Sequence, residues 1–152
     1  MANNFEEYKR ALQRHSEYIS GLRQQVSEIV SKRQLTSIMN DTKWLELQRA
    51  VDDLPFPPPY IVKCVTDEND FSIGILNEIP MYVGDWSNFY EEGLPPFFNI
   101  EWIKICPRYG KHKGHLLDKE VLDETSQLVD ILEKYFIPYE EDNKTFIIYG
   151  YR

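Results

Sequence analysis

Two cysteines and three histidines in 152 residues leave little material for thiol or metal chemistry. Cys64 and Cys106 both fall in apolar, strand-like runs, where a thiol behaves as a small core residue, so a disulfide framework of the secreted kind is excluded. The two runs are still free to lie side by side. His112 and His115 give two ligands with Asp118 as a third, short of a tetrahedral zinc set, and lysines beside both histidines repel a cation. Asp67, Glu68 and Asp70 lack the glycine and terminal glutamate of a calcium loop. A phosphate-binding glycine loop, a Gly-x-Ser-x-Gly elbow and a Cys/His nucleophile pair are all missing. No metal or cofactor is therefore expected, and no specific argument for an enzyme remains.

Long apolar runs are missing as well. The longest spans a handful of residues, against the roughly 20 needed to cross a bilayer. Met1 to Lys9 is polar and carries two glutamates where a secretory signal needs an apolar stretch, so the expected compartment is the cytoplasm. Positive charge is scarce: 17 Lys and Arg face 25 Asp and Glu, a net charge of −8. That balance argues against nucleic acid and against an anionic membrane surface, both of which need clustered cations.

What is present suits one folded domain. Apolar residues make up 42% and aromatics 14% of a chain of ordinary single-domain length. Residues 4–33 read as one amphipathic helix in which Phe5, Tyr8, Leu12, His15, Ile19, Leu22, Val26 and Ile29 recur three and four residues apart. Gly21 marks the expected bend. Two readings of the seam stay open: packing on the chain's own domain, or self-association through residues 5–29. The expected organisation is an N-terminal helical extension, 1–35, before an α+β domain, 36–152.

Asn40 or Asp41 caps a second helix carrying Trp44, Leu45, Leu47, Val51 and Leu54, which must stop at Pro55. The segment Pro55-Phe56-Pro57-Pro58-Pro59 then forces an extended connector. Strands are expected at Tyr60–Thr66, Phe71–Ile75, Met81–Val83 and Phe97–Cys106, with a polar loop at Pro107–His115. A third helix follows from Asp118 or Asp123, and a hairpin joins Ile137–Glu140 to Thr145–Tyr149. Grouped rather than alternating elements point to an α+β fold with a mixed or mostly antiparallel sheet of about four to six strands.

The charge is unevenly placed. Residues 1–51 hold eight Lys and Arg against six acids, residues 108–152 seven against nine, and residues 52–107 only two against ten. The middle segment therefore carries the whole net charge. Its carboxylates fall mostly in expected turns and are interleaved with aromatics, which points to a face that steers and anchors a basic protein partner. The candidate residues are Asp67, Glu68, Asp70, Asp85, Trp86, Glu91 and Glu92. The plain alternative is a solvated surface with its aromatics turned into the core. Arg108, Lys111, His112, Lys113 and His115 form the one basic cluster, suited to a phosphate or, through the histidines, to acid/base hydrolysis of a phosphodiester.

Met39-Asn40-Asp41-Thr42-Lys43-Trp44, the Leu54–Tyr60 proline run, Gly84-Asp85-Trp86, Ile100-Glu101-Trp102, Ile137–Glu141 and Tyr149-Gly150-Tyr151 carry a resemblance. Over residues 35–152 the chain resembles a bacterial family of small uncharacterised proteins. Some members look related to immunity proteins of polymorphic or contact-dependent toxin systems. The resemblance implies a non-enzymatic protein that neutralises a basic toxin domain, with a nuclease favoured, and implies no catalytic residues.

Overall fold

The computed structural model of the chain describes residues 4–68, 79–87, 93–112 and 119–152. The expected strand Phe71–Ile75 and the candidates Asp70, Glu91, Glu92, Lys113 and His115 lie outside the described residues, as does the side chain of His112.

The heptad seam forms two helices, α1 (Asn4–Arg14) and α2 (Ser16–Arg33). The break falls at His15, whose φ of −124° and ψ of 41° leave the helical region, and not at Gly21, which lies inside α2 with open space around it. The bend lets one stripe serve two apolar clusters. Tyr8 of α1 joins the main core, whereas Leu22 and Val26 of α2 pack with Val65 in a separate one. Of the seam, Tyr8, Ile19, Leu22 and Val26 are buried within the chain, Leu12 and Ile29 are half-buried and His15 is exposed.

Gln34, in the left-handed region at φ 56°, closes α2. Its N–H donates to Ser31 O and that of Leu35 to Val30 O, the paired bonds of a Schellman ending. As the sequence predicts, Asn40 caps α3 (Asp41–Val51), its side-chain oxygen accepting from Lys43 N at 2.8 Å.

Four antiparallel strands, β1 (Tyr60–Cys64), β2 (Ile100–Ile105), β5 (Glu140–Asp142) and β6 (Thr145–Tyr149), form a sheet in the order β1-β2-β6-β5. Asn143 and Lys144, at φ 48° and 66°, make the tight turn between β5 and β6. Phe97–Asn99, expected as strand, is a 3-10 turn, and Met81–Val83 is not a strand. Pro107–His115, expected as loop, contains β3 (Arg108–His112), which pairs with β4 (Lys119–Asp123) in a separate hairpin. Because residues 119–123 are drawn into that pairing, helix α4 begins later than either expected start, at Thr125, and runs to Lys134. The α+β class expected from the sequence is the class observed.

Register explains which residues reach the core. Lys63 pairs with Trp102 but Cys64 with Ile100, so Glu101 is the extra residue of a β-bulge. Its carbonyl accepts from the N–H groups of both Gly150 and Tyr151, at 2.8 and 3.2 Å. The bulge resets the two-residue alternation, which lets Ile100, Ile103 and Ile105 all enter the core. There they meet Trp44, Leu47 and Val51 of α3, Leu128 and Leu132 of α4, and Phe146 and Ile148 of β6. The two cysteines are reduced and lie at opposite ends of the β1–β2 ladder: Cys64 pairs with Ile100, and Cys106 follows the Tyr60–Ile105 pair. Among the described residues no helix is long and apolar enough to cross a membrane.

Candidate functional site

Strand β1 has carboxylates at both ends. Beyond Cys64 the chain turns so that Asp67 Oδ2 accepts from Cys64 N at 2.8 Å while Asp67 N donates to Cys64 O at 3.1 Å. This fixes the Asp67 carboxylate on the rim, with Glu68 exposed beside it. At the other end the Tyr60 hydroxyl donates to the backbone carbonyl of Asp85. The Asp85 carboxylate accepts from Ser87 N at 3.0 Å and Ser87 Oγ at 2.5 Å, bonds that hold its pKa below the usual carboxylate range. The strand between the two acidic positions, five residues long, spans about 14 Å.

Trp86 does not present its ring to solvent. It is 7% exposed, its Nε1 donates to Pro58 O at 2.9 Å, and Tyr60 packs edge-on against it at 5.0 Å. Gln48 Nε2 donates to Trp86 O at 2.8 Å, and Gly84 N donates to Pro57 O at 3.0 Å. Residues 84–87 are thereby clamped over the proline connector. Only glycine fits at 84, since a Cβ there would strike the Pro58 carbonyl. Tyr82, 51% exposed, is the aromatic that this stretch leaves in solvent.

The lysines of the middle segment are withdrawn from the surface. Lys63 is 5% exposed and its Nζ lies 2.7 Å from Glu101 Oε2; Lys104 is 4% exposed and reaches Asp142 Oδ2 at 3.4 Å. Asp52, Asp53, Glu68 and Asp85 remain exposed and Asp67 half-exposed. Among the described residues of this segment the exposed charges are therefore carboxylates.

Two clefts adjoin these carboxylates. The larger, about 1010 Å³, lies between α1, α3 and residues 83–87, and sets Arg10 and Arg14 against Asp52 and Asp85. A second, about 670 Å³, lies behind Asp67 and Glu68, between α2 and the sheet. Its floor is the Lys63–Glu101 pair, with Arg33 Nη1 donating to the second oxygen of Glu101 from α2. Lys63, Glu101 and Arg33 are site residues that the sequence reading missed. The signal for Lys63 and Glu101 was the presence of charged residues of opposite sign inside otherwise apolar strands; Arg33, at the end of α2, had none.

The basic cluster is arranged differently from expectation. On the β3–β4 hairpin Arg108 stands opposite Asp123 and Lys111 opposite Glu120. Arg108 also helps hold the Asp123 carboxyl below its usual range, after the Thr125 hydroxyl bond, which is the larger cause. Each of these two cations thus faces a carboxylate across the ladder, which leaves less free positive charge for a phosphate.

Residues 26–152 match a family of unknown function, DUF6678. The chain belongs to that family. Comparison with curated proteins and with solved structures returned no match. The DUF6678 match starts inside α2, so α1 and the first part of α2 precede it. Within the DUF6678 region, several of the segments that carried the resemblance have structural duties. Asn40 caps α3, Trp44 fills the core, and Gly150 lies where a Cβ would collide with the Ile100 carbonyl oxygen and crowd Trp44.

Proposed function

We propose that this is a non-enzymatic binding protein of the cytoplasm that captures a basic protein partner, as an immunity protein neutralises a toxin domain of the nuclease type. One observation carries the reading. The segment that holds the entire net charge buries both of its lysines and leaves its described carboxylates, apart from Glu101, at the surface on either end of β1. Such a surface raises the encounter rate with a cationic protein and disfavours nucleic acid. A nuclease domain needs cations around its phosphate site, so the exposed carboxylates of this segment are complementary to it, with Arg10, Arg14 and Arg33 bordering the two clefts. The competing reading, a small hydrolase or nucleotide-binding protein working from Arg108–His115, is weakened by the acids opposite Arg108 and Lys111.

The test is affinity capture with the tagged full chain from its native cells at low and moderate salt, with stoichiometry measured by mass spectrometry. The expected result is one stoichiometric partner of high isoelectric point, released as salt rises. Recovery of the chain with itself alone, or of nothing, overturns the reading.

A further inference from the structure

The cleft behind Asp67 and Glu68 has features that a flat acidic surface lacks. Its floor is a buried carboxylate, Glu101, fixed by the β-bulge and 6% exposed. Its walls include Trp102 and Tyr149, paired across β2 and β6 and both only half-buried; the Arg152 guanidinium already lies over the Tyr149 ring at 4.6 Å, which leaves Trp102 as the aromatic wall for a ligand. Its rim carries Asp67, held by the turn after β1, and the exposed Glu68. The cleft also already admits a guanidinium: Arg33 reaches Glu101 from the solvent side with its own side chain 44% exposed.

We propose that this cleft receives one arginine side chain of the basic partner. The inference rests on the reading given under Proposed function and adds the residue type that is recognised. Lys63 and Arg33 already hold the two oxygens of Glu101, so the rim carboxylates Asp67 and Glu68 are the acceptors open to an incoming cation, which brings the three carboxylates and two cations of the cleft to neutrality. Arginine suits it better than lysine. A planar guanidinium stacks on aromatic faces and bonds to carboxylates in a fork, whereas an ammonium is a compact, strongly hydrated charge. A bound anion would gain Lys63 and Arg33 but would pass two rim carboxylates to reach them.

The probe is N-acetyl-arginine methylamide, titrated into the isolated full chain and followed by the indole N–H resonance of Trp102. Trp44 and Trp86 are buried at 4% and 7% exposure, so the half-buried Trp102 is the reporter that solvent-borne ligand reaches first. Saturable shifts in the millimolar range are expected, several-fold tighter than for the lysine analogue. They should weaken at least fivefold in the Asp67→Asn/Glu68→Gln variant, which removes charge but keeps shape and the acceptor for Cys64 N. No saturable shift, equal binding of the lysine or glutamate analogue, or an unchanged affinity in the double variant each overturns the proposal. A basic partner that is captured equally well by the double variant defeats the arginine cleft and leaves the broader reading standing. Failure to capture any basic partner, with the arginine titration positive, defeats the broader reading instead.

Discussion

Lys63 Nζ lies 2.7 Å from Glu101 Oε2 with both side chains under a tenth exposed, a buried ion pair between neighbouring strands. Pairs of this kind are worth little against an apolar replacement, but breaking one strands a charge. Glu101→Gln is therefore expected to destabilise the fold by about 3–5 kcal/mol, whereas Lys63→Met with Glu101→Leu should recover most of that loss. Urea unfolding of the single and double variants measures this. Losses that simply add would show that the pair is not the unit at work.

Gly150 offers a sterically sharper case. Its N–H bonds the bulge carbonyl at 2.8 Å, and a Cβ would run into the Ile100 carbonyl oxygen with Trp44 Cζ2 only 3.3 Å away. Both obstacles are held by the core, so Gly150→Ala is expected to lose about 3 kcal/mol or more. Thermal unfolding is the measurement, and a wild-type melting temperature would refute the packing argument.

Local chemistry was legible in the sequence and long-range chemistry was not. The Asn40 cap and the final hairpin follow from residues within a few positions of one another, and the structure has both, although α3 ends at Val51, four residues before Pro55, and the first strand of the hairpin is Glu140–Asp142 where Ile137–Glu140 was expected. The hairpin β3–β4 escaped because Tyr109-Gly110-Lys111-His112 shows no apolar alternation, and its pairing with Lys119–Asp123 overrode the helical periodicity of Val121 and Leu122. The burial of Trp86 is hidden for a related reason. An aromatic between an aspartate and a serine looks exposed until the Pro58 carbonyl is found 2.9 Å from its indole nitrogen. The break at His15 follows from two clusters competing for one stripe, which spacing along a helix does not encode.

Glu124 supplies a pH dependence. It is 1% exposed at the start of α4, its Oε1 accepts from Phe56 N at 3.1 Å, and its Oε2 has no hydrogen-bond partner among the described residues. Burial raises its pKa from 4.5 to about 7, with Asp123 adding to the rise and the Phe56 N–H opposing it. Between those two values the folded protein keeps a proton that the unfolded chain has released. Stability from this group is thus present at low pH and is lost as pH rises through about 7. The loss is on the order of 3 kcal/mol above pH 8. Glu124→Gln abolishes the titration, so its stability relative to wild type should improve between pH 5 and pH 8.5 by about that amount. Parallel pH profiles from chemical denaturation would reject the assignment.

Gln34 holds a left-handed conformation at the end of α2 for which glycine is better suited. Its side chain is exposed and makes no hydrogen bond among the described residues, whereas its N–H serves the Schellman bond to Ser31 O. Gln34→Gly keeps that bond and removes the Cβ penalty. An increase of about 0.5–1 kcal/mol in unfolding free energy is expected. A loss of stability would mean that the added freedom of the unfolded chain outweighs the relief of strain.

The last expectation concerns the partner-facing surface. Asp52, Glu68 and Asp85 are exposed and lie on different loops, so their replacement by lysine shifts the local charge by six units without opening the core. For a captured basic partner, the association rate of the Asp52→Lys/Glu68→Lys/Asp85→Lys variant should fall at least tenfold at low ionic strength. Dissociation should change much less, because exposed rim charges act mainly on encounter. The difference should shrink as added salt shortens the Debye length to about 3–10 Å. Stopped-flow association rates across a salt series distinguish the cases. An unchanged rate with an unchanged salt slope would place the contact elsewhere on the molecule, and the acidity of the middle segment would then serve solubility alone.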